Sequence, residues 1–278
     1  WKFIIDYLLP QFIEFFMPDL YEKVDFSISP KSLDNEFRTL FPESESNDRR
    51  VDKLFEVHLK NGENKWILLN IEVQSYEDEN FAKRMYQHYA RIFDKFDKEI
   101  EAIVVYTYKT NRHKYKKYKS KFLGTKLTYE FRAYDIALQK IEDLEKIKNP
   151  FSFVVQTLIK GFEHKESDQN NFDFKKELLA LLLKSGYSIY EAQRLFVFMN
   201  FILEIKDKKL RAKFYSEVIE MSTAVKGYRE LTDFEEVALE IKLNEDRKKI
   251  AKKLKLKNMT LEEILEITGL SIEEIESL

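Results

Sequence analysis

Residues 50–74, RVDKLFEVHLKNGENKWILLNIEVQ, decide the fold. Residues 50–60 alternate apolar with polar and run into Asn61-Gly62, and the apolar pattern then resumes through Gln74. Alternation on both sides of an Asn-Gly pair predicts a β-hairpin. Side chains of a strand project to alternate faces, so Trp66, Leu68, Asn70, Glu72 and Gln74 share one face, and Ile67, Leu69, Ile71 and Val73 point into the core. A three-residue loop of Asn61, Gly62 and Glu63 sets Asp52 opposite Glu72, Leu54 opposite Asn70 and Val57 opposite Ile67. The hydrophobic pattern and the carboxylate pairing require the same register.

Outward from this hairpin the order is helix, strand, strand, strand, helix, strand. A helix is expected over 3–16, a short strand at VDFSIS (24–29) and a helix opened by Ser29-Pro30 through Phe41. Helical spacing follows from Asp78 to Phe96, with Phe81, Met85, Tyr89, Ile92 and Phe96 on one stripe. IEAIVVYTY (100–108) reads as a buried strand, and LTYEFRAY, after a basic loop, as a further one. The prolines stand at positions 10, 18, 30, 42 and 150, and beyond Pro150 the segments 173–185, 188–206, 208–226 and 232–257 read as helices. Ser188 with Glu191 is a capping-box signature. The polar stretch EHKESDQNN within 163–172 is the expected linker between a domain over 1–162 and a helical region over 173–257. The class is α/β, a mixed sheet flanked by helices and followed by an all-α C-terminal region.

The composition narrows the chemistry. Among 278 residues there are 6 glycines and 5 prolines, too little turn chemistry for a many-stranded β architecture. With no cysteine and 4 histidines, disulfides and thiolate sites are excluded, and a metal would fall to oxygen ligands or imidazole. No apolar run reaches the roughly 20 residues of a bilayer span, and no leader is read in WKFIIDYLLPQFIEFF, so a cytoplasmic setting without membrane contact is expected. The chain begins at Trp1 rather than Met, which leaves room for residues upstream.

Two carboxylates opposed on adjacent strands, Asp52 and Glu72, repel each other unless a proton or divalent cation lies between them. An all-oxygen site favours Mg2+ or Mn2+. Spacing alone leaves open the plainer reading that both are solvent-face acids near strand ends.

The series Arg49-Arg50-Val51-Asp52-Lys53-Leu54, then Trp66 through Ile71-Glu72-Val73-Gln74-Ser75, then Phe81-Ala82-Lys83-Arg84-Met85-Tyr86 with Tyr89, resembles the recombination-promoting nuclease (Rpn) and "putative transposase" family of the PD-(D/E)XK nuclease superfamily. Leu33-Asp34-Asn35-Glu36 and Asn149-Pro150-Phe151 resemble the same family, and the likeness covers about 1–160. The resemblance implies a restriction-endonuclease-like fold and a Mg2+- or Mn2+-dependent DNA endonuclease linked to recombination or mobile elements. It sets Asp52 and Glu72 as metal ligands and Gln74 where the superfamily often carries lysine. A lysine there helps deprotonate the attacking water, whereas a neutral amide only orients it. Glu36 is the expected further acid of the site, preferred over Glu14. The alternative implied by Gln74 is a nuclease-like module that binds DNA or protein without cutting.

A net charge of −2 conceals its distribution. From Ala102 to Tyr129 there is no acid, and eight bases stand there: Lys109, Arg112, Lys114, Lys116, Lys117, Lys119, Lys121 and Lys126. Tyr115 and Tyr118 interleave with them, as in a loop that grips nucleic-acid phosphates; a solvated lysine-rich loop is the plain alternative. Arg84, His88, Arg91 and Lys95 form a basic stripe beside the apolar one on helix 78–96, of which Arg84 and Arg91 are expected to meet the DNA backbone. At the end, Arg247 to Lys257 carries seven bases and Met259 to Leu278 six glutamates. Thr260 with Glu263 and Ser271 with Glu274 frame Gly269 as two short helices over 258–278 with a helix-turn-helix outline. The acidic second helix would be repelled from a DNA groove, so packing or protein interaction is expected of the tail, and self-association of the helical region.

Overall fold

A computed structural model describes residues 1–40, 50–60, 66–110, 114–163, 167–223, 247–257, 259–276 and 278. The first helical stretch is divided into α1 (Lys2–Tyr7) and α2 (Leu9–Phe16), followed by α3 (Pro18–Tyr21). The break at Leu8, with φ −122° and ψ 34°, replaces the single helix expected over 3–16. Pro10 has no N–H to give the carbonyl four residues back, and its ring crowds that carbonyl.

The expected strand at 24–29 does not form. Val24 makes one antiparallel bridge to Leu59, after which the Asp25 carboxylate accepts from both the Ser27 N–H and the Ser27 hydroxyl and turns the chain. The helix expected from Pro30 starts later. Lys31–Ser32 form an edge strand, β1, against Glu56 and Phe55, the Leu33 N–H donates to the Leu54 carbonyl, and α4 (Asp34–Leu40) begins only then.

The hairpin forms in the anticipated register. In β2 (Arg50–His58) and β3 (Trp66–Gln74), Asp52 pairs with Glu72, Leu54 with Asn70 and Val57 with Ile67. The Asn61–Gly62–Glu63 turn lies outside the described residues. α5 (Phe81–Phe96) starts at Phe81 rather than Asp78, because the Asp78 carboxylate takes the Asn80 N–H in a preceding turn. It crosses back to β4 (Ile100–Tyr106), which lies parallel to β3.

The expected basic loop is instead largely a second hairpin, β5 (Lys117–Phe122) and β6 (Thr125–Glu130), and the strand read at LTYEFRAY is split at Phe131 between β6 and β7 (Arg132–Asp135). β7 runs parallel to β4, completing a mixed sheet in the order β1-β2-β3-β4-β7.

Both faces of this sheet are covered. Phe55, Val57, Leu69, Ile71, Val73, Ile103 and Val105 pack against α1, α2, α7 (Pro150–Glu163) and the helices beyond in one large core. On the other face lie two smaller apolar clusters, one of Phe81, Ala82, Met85, Ala102, Val104, Tyr106 and Phe131, the other of Leu33, Phe37, Leu54, Leu68 and Ile92.

After the sheet come α6 (Ile141–Leu144), α7, α8 (Asp168–Lys184), α9 (Ile189–Ile202), α10 (Lys208–Thr223), α11 (247–255), α12 (Leu261–Thr268) and α13 (Ile272–Glu276). The stretch expected as linker becomes helix from Asp168, capped by the Ser167 hydroxyl. Phe172, Leu179, Leu195 and Phe198 of these helices belong to the same core as Ile71 and Val73. Ser188 with Glu191 and Thr260 with Glu263 form reciprocal capping boxes, and Gly269 ends α12 at φ +67°. The helix expected over 232–257 is described only at its end, since 224–246 lie outside the described residues. Ala251, Ile264, Leu270 and Ile275 close a separate small core for the tail.

Candidate active site

Between the two small apolar clusters under α5 runs a polar strip. Asn70, Glu72 and Gln74, alternate residues of β3, are each 1% exposed, and His88 on α5 is 4% exposed. His88 Nδ1 lies 2.5 Å from Glu72 Oε1. With Glu72 ionised its oxygens only accept, so Nδ1 carries the hydrogen. The His88 ring is itself held edge-on to Phe37 of α4 at 5.3 Å.

Gln74 is fixed at both ends of its amide. Its Nε2 donates to the Tyr76 carbonyl at 2.8 Å, and its Oε1 accepts from the Arg84 guanidinium at 3.1 Å. One N–H and one lone pair of that amide are left over. Arg84 is ion-paired with Asp78 and lies 4.9 Å over the Phe81 ring. This expected DNA contact therefore positions Gln74 and is half-buried.

Two buried oxygens of the region have no hydrogen-bond partner among the described residues, Asn70 Oδ1 and the Tyr129 hydroxyl. Burial first, and then the Glu72 carboxylate, push the Tyr129 phenol above its ordinary value. Tyr106, whose pKa is raised chiefly by burial, donates its hydroxyl to the Tyr115 carbonyl at 2.7 Å. An unpaired buried amide oxygen two residues before a buried carboxylate, on the same strand face, is a donor arrangement suited to a hard divalent cation. Asp52 enters through its backbone, paired opposite Glu72; its side chain lies outside the described residues. Among the described residues no three of His, Cys, Asp and Glu are grouped as a metal cluster.

The acids of the neighbouring helices divide by role. Asp34 accepts from Lys53 and from the Leu54 N–H, and Lys53, 3% exposed, also reaches Asp6 at 2.6 Å. Burial, the largest influence, pushes Asp6 above the usual carboxylate range in spite of Lys53. Glu36 is half-buried on α4, one residue before Phe37, and makes no hydrogen bond or ion pair among the described residues. Glu14 bonds Asn149 at 2.7 Å from α2, the helix on the opposite side of the sheet.

The basic residues separate in the same way. Lys109, Lys116, Lys117, Lys119, Lys121 and Lys126 are exposed, and Lys117 is 3.8 Å from Glu130. Lys114 is buried at 9% exposure, donating to the Tyr108 carbonyl and to Asp135 at 2.6 Å each, so its charge is consumed inside the fold. Arg91 is exposed and donates to the Leu40 carbonyl at 3.3 Å, and Arg112 lies outside the described residues.

His88 is the residue that sequence reasoning set in the wrong row. It was expected on the basic stripe with Arg84 and Arg91, yet it completes the buried stripe Phe81, Met85, His88, Ile92, spaced by four, three and four. Tyr89, expected in that stripe, is half-buried and meets Tyr129. The signal was present: a crossover helix after β3 must cover one face of β3, and the only histidine in its apolar row then faces a strand bearing Glu72.

These features define an α/β protein with an acidic, histidine-backed site beneath its crossover helix. The chain matches the family model described as "Putative transposase, YhgA-like" over residues 13–184, more than half its length, and it belongs to that family. The matched span runs through the expected linker and α8. No curated protein and no solved structure matches the chain. No described helix is long and apolar enough to cross a membrane.

Proposed function

We propose that this protein is a metal-dependent endonuclease that hydrolyses phosphodiester bonds in DNA, with Asp52 and Glu72 holding Mg2+ or Mn2+. The single observation that carries this reading is the pairing of Asp52 with Glu72 on adjacent strands, with Glu72 buried beside an Asn70 Oδ1 that has no hydrogen-bond partner among the described residues. Nothing in folding alone rewards burial of a carboxylate next to an unpaired amide oxygen. Family membership supports a DNA-directed role.

A bound divalent ion supplies positive charge to the scissile phosphate and acidifies a water. The chain's own residues do the positioning. His88 holds Glu72 in one orientation, and Arg84 with the Tyr76 carbonyl does the same for Gln74. The N–H and lone pair left on Gln74 orient the attacking water but cannot take its proton. Addition of that water to phosphorus breaks one P–O ester bond and leaves a phosphate monoester and a hydroxyl end. Glu36, which makes no ion pair among the described residues, is assigned as the supporting carboxylate.

Nicking of supercoiled plasmid by the purified full chain with Mg2+ or Mn2+ tests the reading, with Asp52→Ala and Glu72→Gln as variants. Metal-dependent nicking that both variants lose is expected. Wild-type protein that binds DNA but never nicks it would replace this reading by a binding module, and an Asp52→Ala variant as active as wild type would refute the assigned metal site.

A further inference from the structure

The β5–β6 hairpin has a design that its fold does not require. Its strands pair Lys117 with Glu130, Lys119 with Thr128 and Lys121 with Lys126 on one face, and Tyr118 with Tyr129, Ser120 with Leu127 and Phe122 with Thr125 on the other. The second face is anchored at its base to α5: Tyr118 stacks on Tyr86 at 5.5 Å, and Tyr129 meets Tyr89 at 4.8 Å. Those are the outer residues of the same helix whose inner side carries His88 to Glu72. Four residues beyond Tyr118, a distance of about 13 Å along a strand, the hairpin ends in Phe122 and Leu123, which are 76% and 84% exposed.

Three observations about this tip bear on a partner. Lys121 and Lys126 are opposed directly across the strands, a like-charge pair that destabilises a hairpin until an anion lies over it. Two adjacent large apolar side chains stand in solvent at the extremity. Leu123 also holds φ +49°, in a two-residue connection whose first position ordinarily takes glycine, asparagine or aspartate. A leucine in that conformation costs about 1 kcal/mol or more, and the neighbouring Gly124 has open space where a Cβ would go. The residue order is thus the reverse of what the turn alone favours. The side chain at the apex is kept at the expense of the backbone.

A partner must therefore present closely spaced negative charge together with an apolar interior open to a narrow probe. Duplex DNA does both: a two-stranded ribbon fits a groove between two rows of phosphates, and apolar side chains inserted between base steps unstack them. Attachment of the hairpin base to the helix that backs Glu72 favours this partner over a lipid surface, since one helix then carries both the hairpin and the contact to Glu72.

We propose that the β5–β6 hairpin enters a groove of duplex DNA, with Lys117, Lys119, Lys121 and Lys126 on the phosphates and Phe122 and Leu123 wedged into the base stack. The substrate of the proposed nuclease is then locally opened duplex. This inference rests on the nuclease reading for its purpose but is measured without cleavage.

The full chain is titrated, with EDTA present, into duplex DNA carrying 2-aminopurine, whose fluorescence rises when its neighbours unstack. A several-fold rise with wild type is expected, abolished in the Phe122→Ser, Leu123→Gly double variant, whose second change relieves the positive φ and keeps the fold. That variant retains the salt dependence of binding. Lys119→Ala combined with Lys121→Ala and Lys126→Ala lowers the salt slope by about three, one per lost phosphate contact. Binding by wild type without a fluorescence rise, or an equal rise with the double variant, overturns the wedge. Recruitment to phosphatidylserine vesicles that depends on Phe122 and Leu123, with no rise on DNA, overturns it in favour of a membrane surface. Unstacking without metal-dependent nicking refutes the nuclease reading and leaves the wedge, whereas nicking without unstacking does the reverse.

Discussion

The contact between His88 and Glu72 gives a sharp test of the site's energetics. Replacing His88 by alanine removes the donor 2.5 Å from a carboxylate that is 1% exposed, and also a ring packed edge-on to Phe37. A buried charged acceptor deprived of a donor costs about 1–3 kcal/mol, and the volume left by the ring adds about 1–2 kcal/mol. The expected loss is about 2–5 kcal/mol, which for a chain of this size lowers Tm by roughly 3–9 °C.

The two parts separate in a double-mutant cycle. Glu72→Gln keeps the shape and still accepts a hydrogen bond, but it removes the charge that makes the missing donor expensive. In the Glu72→Gln background His88→Ala should therefore cost only its packing share, giving a coupling of about 1–3 kcal/mol. Urea unfolding of the four proteins, followed by circular dichroism at neutral pH, measures it. Additivity within about 0.5 kcal/mol would refute the claim that His88 acts through the Glu72 carboxylate.

Two further outcomes follow from the placement of the lysines. Lys114→Ala should cost about 1–3 kcal/mol, since the Asp135 carboxylate loses the ammonium but keeps the Ala137 N–H, whereas Lys119→Ala should change stability by under about 0.5 kcal/mol and lower the salt slope of DNA binding by about one. Equal stability of the two variants would contradict the burial of Lys114. Lys175, 3% exposed on α8 with its ammonium 5.0 Å over Phe214, is lowered to about 7 by burial first and then by the Arg211 charge, against a partial opposing effect of Glu204. Between about pH 7 and 10 the unfolded chain thus binds a proton that the folded chain lacks, so this group's penalty is full below pH 7 and fades as pH rises. Lys175→Met should raise stability by a few kcal/mol at pH 6 to 7 and by much less near pH 10, and a gain independent of pH in parallel denaturation curves would exclude this cause.

Legibility in the sequence followed the strength of local signals. The β2–β3 register was readable because hydrophobic alternation and an Asn-Gly turn fix pairing together, and a slip of one residue would have turned Ile67, Leu69 and Ile71 out of the core. The β5–β6 hairpin was illegible for the opposite reason. KYKSKF and TKLTYE alternate, but lysine is a weak strand former, and leucine rather than glycine, asparagine or aspartate stands at the first position of the turn. α4 began late because Lys31 and Ser32 found pairing partners on β2, a long-range contact that no local propensity encodes. The backbone pairing of Asp52 with Glu72 follows from the same β2–β3 register. His88 and the Gln74–Arg84 bond depended on which face of β3 the crossover helix covers, and that follows from topology rather than composition.

The polar strip under α5 is where folding and function pull apart. Leu68 and Leu54 on one side and Val104 and Tyr106 on the other would merge into one apolar layer if Asn70, Glu72 and His88 were aliphatic. Such a replacement would remove a buried carboxylate and an amide oxygen that has no hydrogen-bond partner among the described residues, the latter costing about 1–3 kcal/mol. The strip ends one residue short of solvent, since β3 passes from buried Gln74 to exposed Ser75 at the strand end where Gln74 pairs with Arg50 of β2. A substrate phosphate approaching there would meet the end of the sheet, the amide of Gln74 and then the carboxylate row. It would not have to pass through either apolar cluster. On the proposed nuclease reading the substrate therefore comes in from this strand end, because α5 covers the strip from the side and leaves Glu72 only 1% exposed.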